Sequence, residues 1–169
     1  FETDFKKIIS YKFSTIDDFE HNQPELTFTN DNSVIFFDGK GSIFKINDKF
    51  KTTWKVNNYS KKERKLKPFL YFAQNGQYLI TADTLSKIYS INLINGKIVW
   101  NKNSLSPFNS NIKVYKNRFM VVDFNNVIRS FDINNGKEIW NFETEDSFIK
   151  SQKKLSLVLK GEIIYFINN

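Results

Sequence analysis

Residues 89–100 read YSINLINGKIVW, and residues 129–140 read RSFDINNGKEIW. Ser90, Gly96, Lys97 and Trp100 of the first segment recur as Ser130, Gly136, Lys137 and Trp140, each 40 residues later. Asn92 is answered by its near-isostere Asp132. A weaker copy, FKINDKFKTTW at 44–54, keeps Asn47 and Trp54 but has a shorter turn and no glycine. Self-similarity at a fixed period of this length marks a repeat architecture and decides the fold before any local reading does.

Working outward, each tryptophan segment is preceded by two short apolar runs. They are Leu26–Thr29 and Val34–Phe37, then Phe69–Ala73 and Tyr78–Ala82, then Ile112–Tyr115 and Phe119–Asp123. These runs are rich in β-branched and aromatic residues and bounded by Asn, Gly, Asp or Lys, the pattern of short strands. Asp38-Gly39, Asn75-Gly76, Asn95-Gly96 and Asn125-Asn126 are turn signals, because Asn and Gly tolerate positive φ. Four strands per unit of about 40 residues, with no long helical periodicity, predict an all-β chain of β-propeller blades of four antiparallel strands. Full blades are expected over about 24–57, 68–103 and 109–144. At the ends, YKFST at 11–15 resembles WNFET at 140–144, so residues 1–20 read as an orphan outer strand. IIYFINN at 163–169 resembles the start of a tryptophan segment, so 147–169 reads as a partial blade ending on a third strand. The sum is about four blades, in a single domain over 1–169.

The chain has 169 residues, 40% of them hydrophobic and 17% aromatic, which is ample for a buried core. No apolar run approaches the roughly 20 residues of a membrane-spanning helix. The chain opens on Phe1 without a signal-peptide pattern, as expected of a mature or trimmed product or of part of a longer gene. It has no cysteine, which excludes disulfides, thiol catalysis and zinc–thiolate sites. Its one histidine, His21, lies in a polar stretch and reads as an ordinary exposed side chain. The formal net charge of +7 invites a nucleic-acid reading. The composition is also rich in Lys, Asn, Ile and Phe together, as an AT-rich gene encodes, and no nucleic-acid partner is expected.

The pattern A-x-D-x-x-T-G-K-x-x-W marks the pyrroloquinoline-quinone (PQQ) repeat of quinoprotein-like propellers. Residues 90–100 and 130–140 resemble it, with Ser for Ala and Asn for Thr, and the first copy departs at Lys45 and at the missing glycine. The resemblance implies that Trp100, Trp140 and Trp54 dock between neighbouring blades. Gly96 and Gly136 suit the tight turn into the fourth strand, and Asn92 and Asp132 can bond turn backbone groups. Quinone-dependent dehydrogenases of this family hold a calcium-bound quinone with an adjacent-cysteine disulfide and an ordered ligand set. The cysteines are absent, and no ligand set is recognisable. No catalytic, cofactor or metal residue is therefore expected, and the chain reads as a binding scaffold rather than an enzyme. Among non-catalytic members the resemblance points to the BamB-type propeller lipoproteins of outer-membrane protein assembly. That implies a periplasmic site, at the inner face of the outer membrane, and a protein partner in the barrel-assembly machinery. A fragment of a quinoprotein dehydrogenase and a ligand-sensing propeller of a signalling protein are the other readings.

Asp83 and Asp123 also stand 40 residues apart, which suggests a repeated structural role near strand ends. The conspicuous polar stretch is NNYSKKERKLK at 57–67, between one blade's outer strand and the next blade's inner strand. Lys61, Lys62, Arg64, Lys65 and Lys67 there form a candidate docking patch for an acidic partner, anionic lipid or nucleic acid, on the face that carries the second-to-third-strand turns. A solvated loop is the plainer reading of the same residues, since no aromatic ladder for base stacking accompanies them. The blades could close as a small four-bladed ring or form half of a longer protein, but the expected arrangement is a homodimer closing an eight-bladed ring, each orphan N-terminal strand completing the other chain's last blade.

Overall fold

A computed structural model of the chain describes residues 26–143 and 156–167. The described residues form antiparallel sheets and one helical turn. The first blade comprises β1 (Leu26–Phe28), β2 (Val34–Phe37), β3 (Ser42–Ile46) and β4 (Thr52–Asn57). The second comprises β5 (Leu70–Asn75), β6 (Tyr78–Asp83), β7 (Lys87–Asn92) and β8 (Ile98–Asn103). The third comprises β9 (Lys113–Tyr115), β10 (Arg118–Val122), β11 (Val127–Asp132) and β12 (Glu138–Glu143). Strands pair in chain order within each blade. The first strands lie against one another in succession, β1 on β5, β5 on β9 and β9 on β13 (Ser156–Lys160), so the blades radiate from a shared axis. This is a β-propeller arrangement.

The strands form because their side chains alternate between two neighbours, not between core and water. In the second blade Leu79 and Ile91 pack toward the first blade, while Ile80 and Ile88 pack toward the third. Both faces of a middle blade are therefore apolar, which explains the nearly continuous hydrophobic runs. Turn residues take the left-handed conformation that closes each hairpin, at Gly76, Lys116 and Gly161 between first and second strands and at Gly96 and Gly136 between third and fourth. In the first blade, where the glycine is missing, Phe50 adopts φ 59° instead.

Two features depart from the sequence reading. The stretch at 57–67 is not a plain loop: Lys61–Lys65 form a single helical turn, α1. Its Ser60 side chain accepts from Glu63 N–H while the Glu63 carboxylate accepts from Ser60 N–H, a reciprocal cap that holds so short a turn together. Secondly, β14 (Ile163–Ile167) pairs with β13 across a two-residue turn at Gly161, and β13 lies against the inner strand β9. Ile163–Ile167 therefore stands second from the axis, not third. Its apolar sequence resembles a third strand because the second and third strands of the middle blades are alike in being apolar on both faces. The orphan strand read over 1–20, like His21, lies outside the described residues.

Candidate functional site

The joints between blades come first, because they fix the loops that form the accessible face. Each third-to-fourth-strand hairpin contains a bulge. Ser90 opposes Trp100 and Ile91 opposes Ile98, which leaves Val99 unpaired. Thr53 and Ile139 are the extra residues in the first and third blades. A bulge turns the following side chain away from its strand's regular direction, and here that side chain is the tryptophan each time. Trp54 Nε1 donates to the Leu93 carbonyl of the second blade at 3.0 Å. Trp100 Nε1 donates to the Ile133 carbonyl of the third blade at 2.7 Å. Beneath each ring lies the glycine of the next repeat: a Cβ on Gly96 would meet Trp54 at 2.8 Å, and one on Gly136 would meet Trp100 at 2.6 Å. The motif's Trp and Gly thus act across the joint, each glycine receiving the tryptophan of the preceding blade. Trp140 packs with Tyr115, Ile164 and Phe166 around a small core between the third blade and β13–β14. Asn92 Oδ1 accepts from Ile94 N–H at 2.9 Å, and Asp132 Oδ1 from Asn134 N–H at 2.8 Å, closing the turns that carry those glycines.

The second-to-third-strand turns are built on three aspartates. Asp38 Oδ1 accepts from Lys40 and Ser42 N–H, Asp83 Oδ1 from Leu85 and Lys87 N–H, and Asp123 Oδ1 from Asn125 and Val127 N–H. The second oxygen is served differently. Asp123 Oδ2 accepts from Arg129 Nε at 2.8 Å, and that buried guanidinium also meets Glu138. Asp83 Oδ2 accepts from the Tyr59 hydroxyl at 2.5 Å, with the Tyr89 hydroxyl 3.4 Å from that of Tyr59. Burial raises the Asp83 carboxyl above its ordinary value, against the hydrogen bonds that lower it. Burial also pushes both phenols up, so they remain protonated donors. These are satisfied structural groups. Among the described residues no set of three or more His, Cys, Asp or Glu side chains is placed to hold a metal ion.

These turns share one face with the inter-blade connectors. Ser104 N–H donates to the Ser86 carbonyl, Phe108 N–H to the Asp83 carbonyl and Phe124 N–H to the Pro107 carbonyl. Helix α1 sits on the same face. Gly41 has no side chain where Tyr59 and the Arg64 stem pass: an added Cβ would meet them at 2.9 and 3.1 Å. Glu63 bonds Lys87 Nζ at 2.7 Å, which ties α1 to the second blade and holds the Glu63 carboxyl down at about 2. With its one acidic residue turned inward, α1 presents Lys61, Lys62, Arg64 and Lys65 outward, followed by exposed Leu66 and Lys67. The structure thus gathers the five basic residues on one short, anchored segment beside the Asp38–Gly41 and Thr84–Ser86 turns. Sequence reasoning missed Tyr59, which is buried within that polar stretch, and the bulges. A tyrosine amid lysines was the available signal for the first, and none existed for the second.

Four-stranded blades, joined by a tryptophan laid on the glycine turn of the next repeat, define a β-propeller of PQQ-type repeats. Over residues 29–169 the chain matches the family described as outer membrane protein assembly factor BamB, and it belongs to that family. Among solved structures it is similar to BamB from Moraxella catarrhalis, with a TM-score of 0.65 and 14% identity, over 84% of this chain and 41% of that one. It is similar to the computationally designed Ika4 protein, with a TM-score of 0.64 and 12% identity, over 86% of both chains. It also resembles quinohemoprotein alcohol dehydrogenase from Comamonas testosteroni, with a TM-score of 0.56 and 12% identity, over 66% of this chain and 19% of that one. The chain thus spans about two-fifths of the BamB structure it superposes on, and likeness at these identities is one of fold. No curated protein sequence matches.

Proposed function

We propose that the chain is a non-enzymatic, protein-binding propeller scaffold of the BamB type, acting in outer-membrane protein assembly on the periplasmic side. The supporting observation is the face that carries α1. The connectors are hydrogen-bonded down onto the blade turns, and Glu63 is engaged with Lys87, so the outward charge of α1 is positive only. A rigid, basic segment with Leu66 exposed beside it complements an acidic surface that offers an apolar contact. The proposed partner is the barrel-associated subunit of the assembly machinery. The dehydrogenase likeness is one of fold, and a dehydrogenase fragment would bind quinone and calcium.

The test is binding of this chain to the soluble domains of that subunit, at low and physiological salt. The expected result is saturable, salt-sensitive binding that falls at least tenfold in Lys61→Glu/Lys62→Glu/Lys65→Glu. Absence of binding at low salt, or binding indifferent to the triple reversal, overturns the reading. Calorimetric titration with calcium and PQQ is expected to show no heat of binding, and tight binding of both would favour the dehydrogenase reading.

A further inference from the structure

Resting on the protein-binding reading given above, we infer that Lys87 is a positioning residue of the docking face: by holding Glu63 it keeps α1 helical and keeps the outward charge of α1 positive only. A helix of five residues does not persist by itself, since isolated helices shorter than about 12–15 residues are marginal in water. None of the residues of α1 is fully buried, so apolar packing does not supply the missing stability. Its own charges oppose it. Lys61 stands four residues from Lys65 and three from Arg64, and Lys62 stands three from Lys65, spacings at which like charges on a helix repel. The order of α1 therefore comes from its reciprocal cap, from Tyr59 buried just before it, and from the tie of Glu63 to Lys87.

Lys87 is placed to grip that whole segment from the next blade. Its backbone N–H donates to Asp83 Oδ1 at 2.8 Å, which fixes the start of β7. Its ammonium donates to the Asn58 carbonyl at 2.9 Å, meets Glu63 Oε1 at 2.7 Å and lies 4.9 Å from the centroid of the Tyr59 ring. All three contacts are to residues 58–63, which lead into α1 and form its first turn. The Glu63 carboxylate is divided between two tasks, since Oε2 accepts from Ser60 N–H while Oε1 takes Lys87. Without the ammonium, Glu63 becomes an anion among the cations that meet the partner, and their mutual repulsion is left unopposed.

The experiment measures binding of the chain to the soluble domains of the barrel-associated subunit, for wild type, Lys87→Met, the Lys61→Glu/Lys62→Glu/Lys65→Glu reversal and all four substitutions together. Amide hydrogen exchange in α1 is followed in the free chains. Lys87→Met is expected to weaken binding about fivefold. It is also expected to speed exchange of the Arg64, Leu66 and Lys67 N–H groups, which bond within the turn. The triple reversal should then cost less in Lys87→Met than in the wild type, because Lys87 acts through those lysines, whereas independent charges would add. Unchanged binding in Lys87→Met, or additive losses, overturns the inference and leaves the protein-binding reading standing as long as the wild type still responds to the triple reversal. No wild-type binding overturns that reading instead, and exchange then decides the role of Lys87: equal rates in wild type and Lys87→Met refute it. Should Lys87→Met fail to fold, Glu63→Gln takes its place in the exchange measurement. Glutamine preserves the cap and removes the ion pair, so α1 amides that exchange no faster in Glu63→Gln likewise overturn the inference.

Discussion

The joint between the first and second blades and the joint between the second and third use the same Trp-on-Gly contact but support it differently. In the first, Lys45 stands opposite Trp54 and is buried. Its ammonium reaches across to the Leu93 carbonyl, which already accepts from Trp54, and pairs with Asp31 at 2.7 Å. In the second, Ser90 stands opposite Trp100 and its hydroxyl has no partner. There the indole stacks on Phe119, with centroids 6.2 Å apart and planes 12° from parallel. One joint is reinforced by charge-assisted hydrogen bonds and the other by aromatic area. The repeat therefore specifies where a tryptophan docks, and leaves its support to whatever side chain occupies the neighbouring positions.

Breaking the shared element should have the largest effect. Gly136→Ala and Gly96→Ala each add a Cβ into an indole at a residue with φ above 60°. Left-handed strain of about 1–2 kcal/mol adds to an overpacking cost of about 1–3 kcal/mol. Both should lower stability measured by urea unfolding, Gly136→Ala more, since its contact is the closer. Gly76→Ala, with φ 56° and nothing near the added atom, should cost only the strain. Equal losses in all three would mean that the conformation, not the ring, demands glycine.

The aspartates sharpen the comparison. Asp83 takes its second donor from Tyr59, in the connector of the first joint, whereas Asp123 takes Arg129 from its own blade. Asp123→Asn leaves the buried Arg129 guanidinium with Glu138 as its one carboxylate partner and should cost about 1.5–3 kcal/mol. Asp83→Asn retains an oxygen for the two backbone N–H groups, and Tyr59 can accept from the new amide, so it should cost about 1 kcal/mol or less. The sign with pH follows from the raised Asp83 value. The folded protein holds that proton more tightly than the unfolded chain, so the Asp83 contribution is greatest below the ordinary carboxylate range and declines as pH rises through the raised value. Asp83→Asn should therefore gain on the wild type as pH rises across the acid range. A loss in that direction would show the ionised carboxylate to be the favoured form.

Lys45 tests the charged support itself. Lys45→Met keeps the buried stem but removes the donors to Asp31 and to the Leu93 carbonyl, and should cost about 1–2 kcal/mol. High salt should shrink that cost little, because the ammonium is buried.

The period and the tryptophan and glycine positions were legible because they are side-chain identities repeated at a fixed distance. What those residues touch was not. The acceptors for Trp54 and Trp100 are the carbonyls of Leu93 and Ile133, and a backbone oxygen leaves no mark in a sequence. The bulges at Thr53, Val99 and Ile139 are offsets in pairing, invisible without the partner strand. Ile163–Ile167 reads from sequence as one strand too far out, since second and third strands share the same continuous apolar pattern. For α1 a signal did exist, Ser60 followed by Glu63, but no apolar periodicity drew attention to it. The five basic residues were legible as charge. Their outward presentation depends on Lys87, more than 20 residues away, holding Glu63.

The smallest effect should be a gain. Ser90 and Ser130 are both fully buried, and neither hydroxyl has a partner. They occupy the position where the PQQ-type motif carries alanine, and where the first blade carries Lys45. A lysine is long enough to cross the joint, whereas serine reaches nothing and brings a polar atom into an apolar layer. Burying such a hydroxyl without a bond costs about 1–3 kcal/mol, partly offset by the contacts its oxygen makes. Ser90→Ala and Ser130→Ala should each raise the unfolding midpoint, by the equivalent of about 0.5–1 kcal/mol. Their sum should be additive, because the two sites lie in different blades. If either substitution instead destabilises, its hydroxyl is bonded through an ordered water, and that joint is then supported by a polar link of its own, as the first is by Lys45.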